Sequence, residues 1–171
     1  MTLTAMLTAL LCIVGPLTLP IGPVPLSLTT AVLMLMALLL GGRRATLCCA
    51  VYLLIGGVGL PVFSGFTGGM GALLGPTGGF LLGYPVLTAL CGFICSRTRH
   101  RGLHLLGMLA GTALLYLLGA SWYCWQSGTT LHAALITCVL PFLPGDAVKI
   151  AAVLIGGNAV KSRLDRSGIL R

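Results

Sequence analysis

Residues 26–60 read LSLTTAVLMLMALLLGGRRATLCCAVYLLIGGVGL, two apolar runs separated by Gly41-Gly42-Arg43-Arg44. A bilayer core about 30 Å thick asks for roughly 20 apolar residues per helix, and shorter spans are tolerated where the membrane thins locally. The two runs are therefore read as transmembrane helices over residues 26–40 and 45–60, joined by a tight basic turn. That reading makes lipid the solvent of the chain.

Composition leads the same way. Of 171 residues, 57% are hydrophobic and only 7% are charged, whereas a soluble domain carries roughly a quarter charged residues. The net charge of +8 does not indicate nucleic-acid binding, because the basic residues form no face with interleaved aromatics. They fall at the ends of apolar runs: Arg43 and Arg44; Arg97, Arg99 and Arg101; Lys161, Arg163, Arg166 and Arg171. The seven cysteines are odd in number and scattered through apolar runs, as expected of small packing residues.

Working outward, residues 2–14 are apolar, lack Lys and Arg, and stop at Gly15-Pro16, which predicts a retained first helix rather than a cleaved signal. Pro20, Gly22, Pro23 and Pro25 then hold the chain extended. Residues 61–79, PVFSGFTGGMGALLGPTGG, are too rich in glycine and proline for one continuous helix, yet carry no charge. Irregular backbone of that kind is buried in protein or lines a cavity. Further helices are expected over residues 80–95 and 103–122, the latter ending in an interfacial belt of Trp122, Tyr123 and Trp125. Pro141 and Pro144 divide the last apolar stretch into a short outer helix, 131–140, and a sixth transmembrane helix, 145–160.

The expected fold is all-α: one integral membrane domain over residues 1–171 with six transmembrane helices. On this count every basic cluster lies on one side. The positive-inside rule makes that side cytoplasmic, with both termini inside and the Pro-rich, Gly-rich and aromatic loops outside a multi-pass protein of the cell membrane.

Asp146 and Lys149, in PGDAVK, are the charges left within or near a membrane segment. Each costs roughly 2.5–3.5 kcal/mol at a helix centre, so each needs a partner or a task. They share one helix face. Asp146 falls at or near an N-cap, so a capped helix with a local salt bridge is one reading. A ligand site is the other: a carboxylate accepts two N–H bonds side by side, and an ammonium binds a carbonyl oxygen or an anionic tail. Gly71, Gly75, Gly79 and Gly83 allow either close helix packing or close backbone approach to a ligand. Ala5 and Ala9 leave a small-residue face on the first helix. His100, His104 and His132 are expected as surface or interface residues and supply no metal site.

Three segments, GLPVFSGFTGGMGALLGPTGGFLLGYP, IGPVPLSLTT and PFLPGDAVK, resemble the BioY family, the biotin-binding S components of energy-coupling-factor (ECF) transporters. The resemblance covers nearly the whole chain and rests on GPTGG at 75–79, the pattern ending at Asp146 and Lys149, and their order. It implies the six-helix S-component fold and biotin bound near the outer face beneath the loops after helices one and three. Asp146 and Lys149 are then ligand contacts, Gly78 and Gly79 belong to the binding loop, and Phe63 and Phe80 form apolar walls. The implied partners are a transmembrane coupling subunit, meeting the first helix at Ala5 and Ala9, and two ATPases. Two positions depart from the pattern: Phe80 stands where Tyr is frequent, and Gln is missing near Thr29.

No cofactor is expected, and ATP enters only through the partner ATPases, because the chain has no nucleotide-binding loop of its own. Left open are an S component for a different vitamin, a membrane scaffold, and action alone or as a homo-oligomer. An intramembrane aspartate hydrolase would need a second carboxylate opposite Asp146, and the other acid, Asp165, lies in the cytoplasmic tail.

Overall fold

The computed structural model describes residues 2–19, 26–98 and 100–166. Pro20, Gly22, Pro23, Pro25, Arg99, Arg171 and the side chain of Asp165 lie outside what is described. Helix α1 (Thr2–Val14) leads into a two-residue strand, β1 (Thr18–Leu19), which pairs antiparallel with β2 (Leu26–Ser27) in the register Thr18↔Ser27 and Leu19↔Leu26. The remaining helices are α2 (Thr29–Gly57), α3 (Met70–Leu74), α4 (Gly78–Arg97), α5 (Arg101–Ser127), α6 (Leu131–Cys138), α7 (Leu143–Ala152) and α8 (Asn158–Arg166). A 3-10 turn, Leu140–Phe142, precedes α7, and a π turn, Val153–Gly157, joins α7 to α8.

Helix α2 is two arms that meet at Gly41, whose φ of 75° and ψ of 170° suit a residue without Cβ. Contacts fix the reversal. Thr30 on the first arm hydrogen-bonds Asp146, whereas Gly42 lies against Gly92 of α4. On the second arm Gly56 packs on the ring of Phe63, which lines the same cavity as Thr30. The chain therefore crosses the bundle and returns, and Gly41 alone makes the turn. The expected interruption over 41–44 is shorter than its composition suggests, because Arg43 and Arg44 are already helical.

Helix α4 packs between α2 and α5. A Cβ on Gly92 would stand 2.5 Å from the backbone of Gly42, so the two helices touch main chain to main chain. Four stretches, Thr29–Gly57, Gly78–Arg97, Arg101–Ser127 and His132–Leu164, are long and apolar enough to cross a membrane, and α1 is a shorter apolar helix. Their outer faces remain apolar: Leu103, Leu106, Leu109, Leu114, Leu117 and Leu118 of α5 are all exposed. In water so large an apolar face is a liability; in lipid it is the ordinary surface. The protein is a multi-pass membrane protein.

Several local expectations change. Within residues 61–79 a short helix, α3, and a bridge between Phe63 and Thr67 order part of the Gly-rich loop. Helix α5 continues to Ser127, so Trp122, Tyr123 and Trp125 lie on its final turns. Trp122 donates its indole N–H to the Gly75 carbonyl at 3.0 Å and clamps the loop. His104 is not a surface residue: it is 1% exposed, with Nδ1 3.0 Å from Asn158 Oδ1 and Nε2 2.9 Å from the Thr98 carbonyl. Thr98, just after α4, supplies one partner and α8 supplies the other.

Candidate ligand-binding site

The beginning of α7 sets the site. Pro144 at its second position starts the helix without needing an N–H, so the helix begins at Leu143 and Asp146 stands one turn in. No side chain caps this helix, which corrects the reading of Asp146 as an N-cap. Its carboxylate is taken by side-chain donors, one from its own helix and two from other helices. Lys149 Nζ lies 2.7 Å from Asp146 Oδ1, the Thr30 hydroxyl donates to the same oxygen at 3.4 Å, and the Tyr116 hydroxyl donates to Oδ2. Lys149 Nζ also donates to Thr30 Oγ1 at 3.2 Å.

Asp146 is 5% exposed and Lys149 8% exposed, so the pair is formed where water is scarce. A buried pair of this kind gains little net stability after desolvation, while removal of either partner strands a charge and costs about 3–5 kcal/mol. An ammonium has three protons. Two are engaged by Asp146 and Thr30, which among the described residues leaves one for a guest.

The pair opens into a cavity of about 240 Å³. Thr30, Tyr116, Asp146 and Lys149 form one polar side; Phe63, Phe80, Leu81, Leu115 and Phe142 supply apolar wall; Ser64, Thr67 and Thr77 come from the loop between α2 and α4, and Ser27 and Tyr84 complete a second polar edge. The volume lies just below the roughly 300–1,000 Å³ usual for drug-sized guests and suits a compact one. Phe63 is held by Tyr52, ring centroids 5.5 Å apart at 77°, and Tyr52 in turn donates to the Val62 carbonyl at 2.9 Å. The loop wall is thereby anchored to α2.

Of the residues singled out in the sequence, the structure brings Asp146, Lys149, Phe63 and Phe80 to this cavity. Gly78 and Gly79 are elsewhere: a Cβ on Gly78 would meet the Leu73 carbonyl, and one on Gly79 would meet the Trp122 side chain. Their small size serves packing of the loop and of α4 on α5. Ala5 and Ala9 are exposed on α1, on the other side of that helix from buried Leu7 and Leu11. Thr30 and Tyr116 were not singled out. Tyr116 had a legible signal, a lone hydroxyl within Leu114-Leu115-Tyr116-Leu117-Leu118, since a polar atom in an apolar span needs a partner. Among the described residues no cluster of metal-ligating side chains occurs.

Apart from Lys149, the described basic clusters occupy the other end of the bundle. Gly41 approaches Ser96, Lys161 donates to the Cys95 carbonyl at 3.4 Å, and Arg97, Arg101 and Lys161 line one polar pocket. The cavity with Asp146 and Lys149 therefore opens at the end that carries no basic turn.

Comparison with known proteins agrees with this architecture. The BioY family model matches residues 1–166. The chain is 36% identical over 154 residues to the probable biotin transporter BioY of Pyrococcus horikoshii, an alignment that covers 90% of this chain and 91% of that protein. It is 32% identical over 163 residues to the biotin transporter BioY of Thermotoga maritima, covering 93% and 94%. A crystal structure of the S component for biotin from an ECF-type ABC transporter superposes with a TM-score of 0.88 at 30% identity, covering 94% of this chain and 89% of that one. With an S-component fold and a family match running through α8, this chain belongs to the BioY family.

Proposed function

We propose that this protein is the S component of an ECF-type transporter and captures biotin in the cavity bounded by Asp146, Lys149, Phe63 and Phe80. The observation that carries the reading is the buried Asp146–Lys149 pair, which faces a compact, half-apolar cavity and keeps one ammonium proton uncommitted. Biotin is the ligand named for the relatives and for the structural neighbour. Its ureido N–H groups would donate to Asp146, and Lys149 would donate to its ureido carbonyl or valerate carboxylate. Phe63 and Phe80 would flank the bicyclic ring.

The working unit is one membrane domain of six crossings, α1, the two arms of α2, α4, α5 and the α7–α8 rod, in the cell membrane with both termini cytoplasmic. The gathering of basic residues at one end of the bundle supports this orientation, in which biotin would enter from the outer face. Energy would come from a transmembrane coupling subunit and two ATPases, since the chain is proposed to bind and carry rather than to catalyse. The exposed Ala5 and Ala9 on α1 support a close approach of the coupling subunit there.

Labelled-biotin binding to the detergent-purified protein tests the site. Asp146→Asn and Lys149→Ala should each weaken binding by roughly ten- to a hundredfold, the scale of one lost charge-assisted hydrogen bond. Unchanged affinity in both variants would sink the assignment.

A further inference from the structure

A second cavity, distinct from the biotin site, lies at the basic end of the bundle. Its volume is about 530 Å³, and Arg97, Arg101 and Lys161 line it together with the hydroxyls of Ser96, Thr98 and Ser162. His104 and Asn158 also contribute to its wall, and no carboxylate is among the described lining residues. Three cations that line one pocket repel one another, and an oxyanion between them relieves the repulsion while accepting hydrogen bonds from guanidinium and hydroxyl donors.

The wall is preorganised. His104 is buried and held by both ring nitrogens, to Asn158 and to the Thr98 carbonyl, so α5, α8 and the turn after α4 are fixed relative to one another. Lys161 is drawn towards α4 by the Cys95 carbonyl. Arg97 stacks over the Phe93 ring, 4.4 Å from its centroid.

The source of the anion follows from what adjoins the pocket. Phe93, Leu103 and Leu106, on α4 and α5 beside it, are 55%, 43% and 57% exposed, an apolar surface that lipid must cover. A guest with a phosphate at one end and hydrocarbon at the other satisfies both neighbours at once; a free inorganic anion satisfies only the first. We infer that this pocket binds the phosphate of an anionic phospholipid from the leaflet at the basic end, with Arg97, Arg101 and Lys161 as its ligands. The inference requires only that the protein spans a membrane, and stands or falls apart from biotin recognition at the other end.

Native mass spectrometry of the full chain released from an equal mixture of phosphatidylglycerol and phosphatidylcholine tests it. The expected result is phosphatidylglycerol retained in preference by roughly tenfold or more, the scale that a few interfacial cations provide. Retention should fall roughly fivefold in Arg101→Gln, whose exposed side chain makes it a mild change to the fold, and further in the combined Arg97→Gln, Arg101→Gln, Lys161→Gln variant. Undiminished biotin binding by both variants, together with that loss, would show that the fold is intact. Equal retention of the two lipids, or retention by Arg101→Gln and the combined variant like that of the parent, overturns the proposal. So does displacement of the lipid by millimolar inorganic phosphate, which would make this a site for the soluble anion. Loss of coupling-subunit association with lipid retention unchanged would instead identify a protein interface, and would equally overturn it.

Discussion

Tyr116, halfway along α5, donates its hydroxyl to the Asp146 carboxylate of α7, thirty residues later in the chain. The contact ties α5 to α7 at the depth of the ligand cavity. Tyr116→Phe keeps the ring and deletes one donor to a buried charge. It should lower unfolding free energy by about 1–3 kcal/mol, read as an earlier thermal transition in detergent, and a parent-like transition would show that the bond contributes nothing.

The buried ion pair makes a non-additive prediction. Lys149→Met leaves Asp146 charged and underpaired and should cost about 3–5 kcal/mol of stability. Adding Asp146→Asn should recover part of that loss while leaving biotin binding weakened. A double-mutant cycle separates the two effects, and strictly additive losses in stability would argue against coupling.

Glycine substitutions should divide by position. Gly92→Ala drives a methyl group into the backbone of Gly42 and should destabilise by about 1–3 kcal/mol through overpacking. Gly102→Ala meets nothing within 4 Å and lies inside α5, where alanine is favoured by about 0.5–1 kcal/mol. Thermal unfolding of the pair should give shifts of opposite sign.

Loop anchoring should appear in kinetics. Tyr52→Phe removes the 2.9 Å bond to the Val62 carbonyl that sets the position of Phe63. A net hydrogen bond of about 0.5–1.5 kcal/mol corresponds to release of labelled biotin roughly two- to tenfold faster, with association little changed. Equal release rates would detach this hydrogen bond from ligand retention.

The membrane class and the position of the helices were readable because lipid imposes a coarse code. Apolar runs of spanning length with basic residues at alternate junctions leave few alternatives, and Arg43, Arg97 and Lys161 are found at one end of the bundle. Asp146 and Lys149 were legible for the same reason, since charge in an apolar span is conspicuous. Thr30 was not. A hydroxyl at a helix start is ordinary in sequence, and only the return of α7 to the first arm of α2 gives it two ionic partners. Gly78 and Gly79 were misplaced by a related ambiguity, since glycine permits close approach without saying what approaches. Leu73, five residues before Gly78, and Trp122, which packing brings onto Gly79 from far along the chain, decide that. His104 went astray likewise, because its partner Asn158 is on the far side of α5 in the chain.

The carboxylate cage at Asp146 is assembled from residues 30, 116, 146 and 149. No shorter portion of the chain contains it, so during biosynthesis the α2–α4 loop that walls the cavity exists before there is anything for it to enclose. Docking of the closing helix is thus both the last step of construction and the first moment at which a vitamin could be held. A subunit built this way acquires competence in a single event, and a nascent chain paused ahead of Leu143 would be inserted, helical and blind to its cargo.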